Sequence, residues 1–199
     1  MSAERRTAIR RLLRRHEACA EAVDWSADKE GLQQLWEQCE VPEWLLWSLE
    51  QLKYRDDLKL RAFAVACARR HSGLLPQDGP LLRLLSIAEA VARDGAPPDG
   101  LLEGWQDGSD AADHAARAEG WSVARAAAIN AVRDTVLSDA MEAAKGSSTN
   151  AQRAVAWQTG SPESTAEEAR WQARELRRLL DQDVPKILGR ARAAMIARR

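Results

Sequence analysis

The stretch DDLKLRAFAVACARRH, residues 56–71, decides the fold class of this chain. Its apolar residues recur three or four positions apart, the spacing of one helical face: Leu58, Leu60, Phe63, Ala64, Cys67 and Ala68. The acidic pair at its start and the basic pair near its end both complement the dipole of a helix. The stretch therefore predicts an amphipathic α-helix, which Gly73 and Pro76 terminate.

The composition of the whole chain extends this prediction. Among its 199 residues are 37 Ala and only 19 β-branched residues, a ratio that favours helices and disfavours strands. No segment alternates apolar and polar residues between turn residues, as a half-buried strand would. We therefore expect an all-α fold, a multi-helix bundle of about eight helices with a long Ala-rich helix and no sheet.

The same periodicity predicts helices elsewhere in a single helical domain over residues 1–199. The predicted helices cover residues 4–22, about 26–39, 42–53, 80–93, a stretch from a capping box at Ser164 to about 180, and 184–198. Residues 109–145 predict one long helix or two that break near Gly120, ended by GSST at 146–149. The GAPPDG segment at 95–100 is a linker and a candidate sub-boundary.

Charge is segregated along the chain although the net formal charge is only −1. Residues 1–20 sum to +4 and residues 184–199 to +5, so helices 1–22 and 184–199 are basic. These ends could dock on each other, on another subunit, or on phosphates, and net charge does not choose between these.

Cysteine content and hydropathy indicate the compartment. Cys19, Cys39 and Cys67 are odd in number and lie among apolar neighbours, so we expect reduced core residues. The N-terminus has charges throughout and does not have the pattern of a secretory signal. No apolar run approaches the ~18 residues of a membrane span. We expect a cytoplasmic protein that does not enter the membrane.

The residues that could carry catalysis are sparse. His16, His71 and His114 each have at most one or two neighbouring ligands, whereas zinc usually takes three or more from the protein. Cys67 and His71, four residues apart, are the only local nucleophile and base pair, and their apolar face favours an inert thiol. No glycine-rich phosphate loop occurs. We therefore expect no catalytic residue, no metal, no cofactor and no enzymatic activity.

Several motifs resemble a known family. The segments are WLLWSLEQLKYRDDLKLRAFAVACARRHSGLL at 44–75, LLRLLSIAEAVARDG after it, repeated Ala pairs, and WQARELRRLLD from Trp171. Their order is similar to that of the helical, Ala- and Trp-rich family of proposed immunity proteins in bacterial toxin and defence systems. The resemblance covers about residues 44–181 and implies a helical fold and a partner protein.

Two functions follow as hypotheses. The first is a protein-binding module, an immunity protein or a defence-complex subunit, whose acidic stretch 99–119 contacts a basic partner such as a toxin. Its expected contact residues are Trp105, Asp107, Asp110, Asp113 and Trp121. The alternative is an accessory nucleic-acid binder with basic terminal helices. Its expected phosphate contacts are Arg10, Arg11, Arg14, Arg15, Arg190 and Arg192.

Overall fold

The computed structural model describes residues 3–76, 79–95, 110 and 122–196. The α-helices in these ranges are α1 (Ala3–Arg15), α2 (Ala20–Trp25), α3 (Leu32–Gln38), α4 (Pro42–Gln51), α5 (Asp57–Arg70), α6 (Pro80–Asp94), α7 (Val123–Asp134), α8 (Ala140–Thr159), α9 (Pro162–Leu180) and α10 (Val184–Ile196). Short 3₁₀ turns occur at Ser26–Asp28, Ser72–Leu74 and Asp181–Asp183. The described residues contain no strand, which confirms the all-α prediction. None of these helices is long and apolar enough to cross a bilayer.

The chain divides into two compact units. Unit 1 comprises Met1–Tyr54 and Leu180–Arg199, and unit 2 comprises Arg55–Leu179. In unit 1 the C-terminal segment returns to the N-terminal helices, since α10 contacts both α1 and α3. The hydroxyl of Tyr54 donates a 2.6 Å hydrogen bond to Asp183 Oδ2, and this joins the two chain segments of the unit.

The predicted helix over 4–22 is wrong in length, because α1 ends at Arg15. Glu17 has φ of +60°, and the amide of Ala18 donates to Leu13 O at 3.0 Å. A left-handed residue followed by such a backward hydrogen bond is the geometry that ends many helices. Cys19 lies after this break and is exposed, which corrects its prediction as a core residue; Cys39 and Cys67 are buried as predicted.

Unit 2 is built around α5, whose start the sequence predicts correctly. Asp56 caps it by accepting a 3.1 Å hydrogen bond from the amide of Lys59. The core between α5, α6, α7 and α8 consists mainly of Leu and Ala side chains, with Leu84, Leu85 and Ala131 fully buried. The small Ala side chains allow the helices to approach closely.

Two predicted helix ends in unit 2 are also wrong. GSST at 146–149 does not end a helix but lies inside α8, where Ser147 Oγ donates to Ala131 O at 2.9 Å. The small polar residues permit contact with α7 and α9, and this outweighs their low helix propensity. The second error concerns the residue that caps α9. The cap is Ser161 and not Ser164: Ser161 Oγ accepts a 3.2 Å hydrogen bond from the amide of Ser164 at the start of the helix.

Candidate functional site

Most of the predicted protein-contact residues lie outside the described residues. These are Trp105, Asp107, Asp113 and Trp121. Asp110 is described, and its side chain is exposed. The described chain resumes at Ser122, one residue after Trp121, and Ser122 caps α7 through a 3.2 Å hydrogen bond from the amide of Arg125. The start of α7 is therefore the described part of the chain that follows the predicted contact residues most closely in sequence.

The α7–α8 pair brings a second apolar residue to this surface. Residues 135–139 form a short connection between α7 and α8, and the two helices pack along each other, as in an antiparallel helical hairpin. The start of α7 therefore lies beside the end of α8. At this end Val123 is 52% exposed and Trp157 is 65% exposed. Trp157 is not among the contact residues that the sequence predicts, and its position near the end of α8 was the available indication of exposure.

The predicted nucleic-acid residues divide into two groups. Arg10, Arg11, Arg14 and Arg15 line one surface groove with Thr7, all on one face of α1. The Nε atom of Arg10 is buried in this groove and has no hydrogen-bond acceptor among the described residues. On α10, Arg190 and Arg192 are exposed but do not line the groove. Arg190 instead donates a 3.4 Å hydrogen bond to the carbonyl oxygen of Lys53.

The opposite face of α1 borders an apolar cavity inside unit 1. The cavity has a volume of about 150 Å³, and Leu12, Leu13 and His16 form its α1 wall. The other walls come from α2, α3, α4 and α10 and include all four tryptophans of the unit: Trp25, Trp36, Trp44 and Trp47. The sequence predicts apolar faces on these helices, but not the space between them.

The tryptophans of the cavity wall pack against each other and against a lysine. The rings of Trp25 and Trp44 have centroids 5.7 Å apart and an interplanar angle of 56°, a tilted arrangement that aromatic pairs favour. The ammonium of Lys29 lies 4.9 Å from the centroid of Trp25, in cation–π contact. Trp36 is buried, whereas Trp25, Trp44 and Trp47 are half-buried.

A second cluster, in unit 2, is buried and polar. Glu168 is 3% exposed and accepts a 2.7 Å hydrogen bond from Arg70 Nε. His71 Nε2 lies 3.3 Å from Glu168 Oε1, within ion-pair distance when the imidazole is protonated, although the pair does not have hydrogen-bond geometry. Gln172 donates to Glu168 at 3.1 Å and accepts from Ser148 Oγ at 2.7 Å. The guanidinium of Arg70 also lies 4.5 Å from the centroid of Trp171.

The charges of this cluster determine the ionisation of Glu168. Burial by itself would raise its pKa, but the contacts with His71, Arg70 and Gln172 outweigh burial and lower the pKa of Glu168 below 4.5. Glu168 is thus held as a carboxylate inside unit 2. The hydroxyl of Ser148 is a potential nucleophile, but the residue is completely buried. Through its hydrogen bonds the cluster cross-links α5, α8 and α9. Sequence reasoning missed it, although Glu168 and Gln172 share the helix face of Leu176 and Leu180.

The histidines and cysteines occupy separate places. His16 Nδ1 is 3.1 Å from Gln51 Oε1 in unit 1, His71 belongs to the Glu168 cluster, and His114 lies outside the described residues. Within the described part of the chain no three His, Cys, Asp or Glu side chains converge as metal ligands would.

The chain matches no protein-family model, curated protein or solved structure.

Proposed function

We propose that this chain is a non-enzymatic protein-binding module, and that it contacts its partner through the end of unit 2 where α7 begins and α8 ends. The observation that carries the proposal is the exposure of Trp157, 65%, beside the exposed start of α7. Tryptophan contributes disproportionately to protein interfaces because it buries a large rigid area and retains a hydrogen-bond donor.

The charge of the adjoining sequence supports a basic partner. The acidic stretch 99–119 precedes α7 and contains six acidic residues and one Arg. Acidic groups around an apolar anchor accelerate association with a basic surface and exclude acidic ones. With the family resemblance, this favours a toxin or a subunit of a bacterial defence assembly as the partner, met in the cytoplasm.

The test starts with the full chain used as bait in the source cells. A partner recovered in this way is then produced separately, and its binding kinetics are measured with purified variants. Trp157→Ala should raise the dissociation rate about 30-fold, as expected for an interface anchor. Asp107→Lys with Asp110→Lys should mainly lower the association rate and its dependence on salt.

Leu137→Ala is the matched control. Leu137 is also exposed, at 40%, but follows the end of α7 at the opposite end of the α7–α8 pair. Its truncation should leave the kinetics unchanged. Equal effects of Trp157→Ala and Leu137→Ala, or no effect of either, would reject the proposed surface.

Nucleic-acid binding is a second candidate, favoured by the arginine groove of α1. Its four arginines lie on one face of α1 within about one and a half helical turns, so they could contact neighbouring phosphates of a strand. Arginine is suited to this because it binds phosphate oxygens through two parallel hydrogen bonds.

This candidate is tested by the salt dependence of binding to single-stranded RNA. Replacing Arg10, Arg11, Arg14 and Arg15 by Gln should reduce the log–log salt slope by about 0.7 for each lost contact. The control replaces four exposed arginines of unit 2, Arg83, Arg93, Arg153 and Arg174, which removes the same charge. Equal loss in both variants would show a non-specific effect of net charge and reject the groove.

A further inference from the structure

We infer that the tryptophan-lined cavity of unit 1 is a binding site for a free, neutral molecule the size of one aromatic ring. The inference is independent of the proposed protein-binding surface, which lies in unit 2. It follows from the size of the cavity, the aromatic rings in its walls and the chemistry of the polar groups that line it.

The size of the cavity limits the ligand. An apolar space of about 150 Å³ accommodates a single six-membered ring. Its walls contain four indoles, whose faces and edges an aromatic ring can pack against.

Ser48, Cys39 and His16, three polar residues of the wall, are already hydrogen-bonded within unit 1. Ser48 Oγ donates to Trp44 O at 2.8 Å, Cys39 Sγ donates to Val41 O at 3.3 Å, and His16 pairs with Gln51. A buried water needs two to four polar partners, so a water in this space would be poorly held. A ligand without strong hydrogen-bonding demands fits better.

The charge of the wall excludes ions. The described residues that line the cavity include no Asp, Glu, Lys or Arg. A carboxylate or ammonium placed there would lose its hydration without gaining a partner from Asp, Glu, Lys or Arg, and the imidazole of His16 already pairs with Gln51. The site therefore selects a neutral ring, and the half-buried Trp25, Trp44 and Trp47 place one edge of the cavity near the surface, where such a ring can enter.

The test titrates the full chain with benzene, indole and benzoate. Calorimetry should show saturable binding of benzene or indole with a dissociation constant of about 1 mM or below, and benzoate should bind at least about tenfold more weakly. Nuclear Overhauser contacts between the bound ring and the indole protons of Trp36 or Trp44 should locate the ligand in the cavity without any substitution.

Two cavity-filling variants test the location by loss of binding. Ala191→Leu and Ala22→Leu add side-chain volume at the wall and should each weaken benzene binding at least about tenfold, with the helical circular dichroism retained. Ala193→Leu and Ala20→Leu make the same change at exposed positions of the same helices and should bind as the wild-type chain does.

Three results would overturn the inference: no saturable binding of benzene or indole up to their solubility, equal affinity for benzoate, or unchanged binding in folded Ala191→Leu and Ala22→Leu chains. If both filling variants lose their helical signal, the Overhauser contacts of the wild-type chain decide, and contacts outside the cavity reject the site.

Discussion

The carboxylate of Asp134 lies directly over the Cα of Gly146. A Cβ added at Gly146 would lie 2.6 Å from Asp134 Oδ2 and 3.1 Å from Asp134 Cβ. Asn150 Nδ2 donates a 2.7 Å hydrogen bond to the same Oδ2 and so holds the carboxylate in place. The close approach of α7 and α8 therefore depends on the missing side chain of residue 146.

Gly146→Ala should consequently destabilise unit 2 by about 1–3 kcal/mol, the usual cost of overpacking. Alanine has the better helix propensity by about 1 kcal/mol, so the expected sign is opposite to that of a solvent-exposed site. Gly189→Ala is the control, since Gly189 is in α10 and has no atom within 4 Å of an added Cβ. Thermal unfolding followed by circular dichroism should show a lower Tm for Gly146→Ala and an unchanged or higher one for Gly189→Ala. A higher Tm in both would refute the close contact.

Glu168→Gln should destabilise the chain more than the same change at Glu175, two turns later on α9. Glu168 is buried and binds Arg70, whereas Glu175 forms its ion pair with the exposed Arg178. We expect a loss of about 1–3 kcal/mol for Glu168→Gln, because the change replaces one carboxylate oxygen by an N–H donor and removes the negative charge that Arg70 pairs with. Glu175→Gln should cost about 0–1 kcal/mol. Denaturant titrations of both variants measure the difference, and equal midpoints would contradict a structural role of the cluster.

The stability of the wild-type chain should fall at acidic pH through Glu168. Its pKa is lowered in the folded state, so its contribution is complete above the unfolded value of 4.5 and is lost as pH falls through the folded pKa. The Tm difference between the wild-type chain and Glu168→Gln should therefore shrink as pH decreases below 4.5. A difference that is constant from pH ~7 to ~3 would contradict this ionisation.

Asp134 should have the opposite pH dependence. Burial raises its pKa above 3.8, and the hydrogen bond from Asn150 only partly opposes this. Its protonated form is favoured by folding, so the stability from this residue is present below pH 3.8 and is lost as pH rises through the folded pKa. In the Asp134→Asn variant the loss of stability with rising pH should disappear. Thermal unfolding of the variant and the wild-type chain across the same pH series measures this. An identical pH profile in the variant would show that Asp134 does not contribute.

The three cysteines should differ in reactivity. Cys19 is exposed, whereas Cys39 and Cys67 are buried. A thiol reagent added to the native chain should modify one equivalent rapidly, and the other two only after unfolding. Cys19→Ser should abolish the rapid phase, and peptide mapping identifies the labelled residue. Rapid modification of Cys67 in the native chain would contradict its place in the α5 core.

Local sequence determines the features of this protein that depend on local chemistry. The helical class, the start of α5 at its Asp56 cap and the start of α6 at Pro80 follow from periodicity and capping, which act within a few residues. The arginine groove of α1 is also determined by local sequence, because residues three and four apart on a helix share a face whatever lies around them.

Only the tertiary structure decided the features that depend on residues distant in sequence. GSST at 146–149 has poor helix propensity, yet it is helical because Gly146 and Ser147 let α7 approach and Ser148 meets Gln172. The Glu168 cluster and the cavity of unit 1 likewise combine side chains from helices far apart in the chain. Periodicity identifies which face of each helix is buried, but the partner of that face is set by packing between helices, a long-range interaction that no local pattern records.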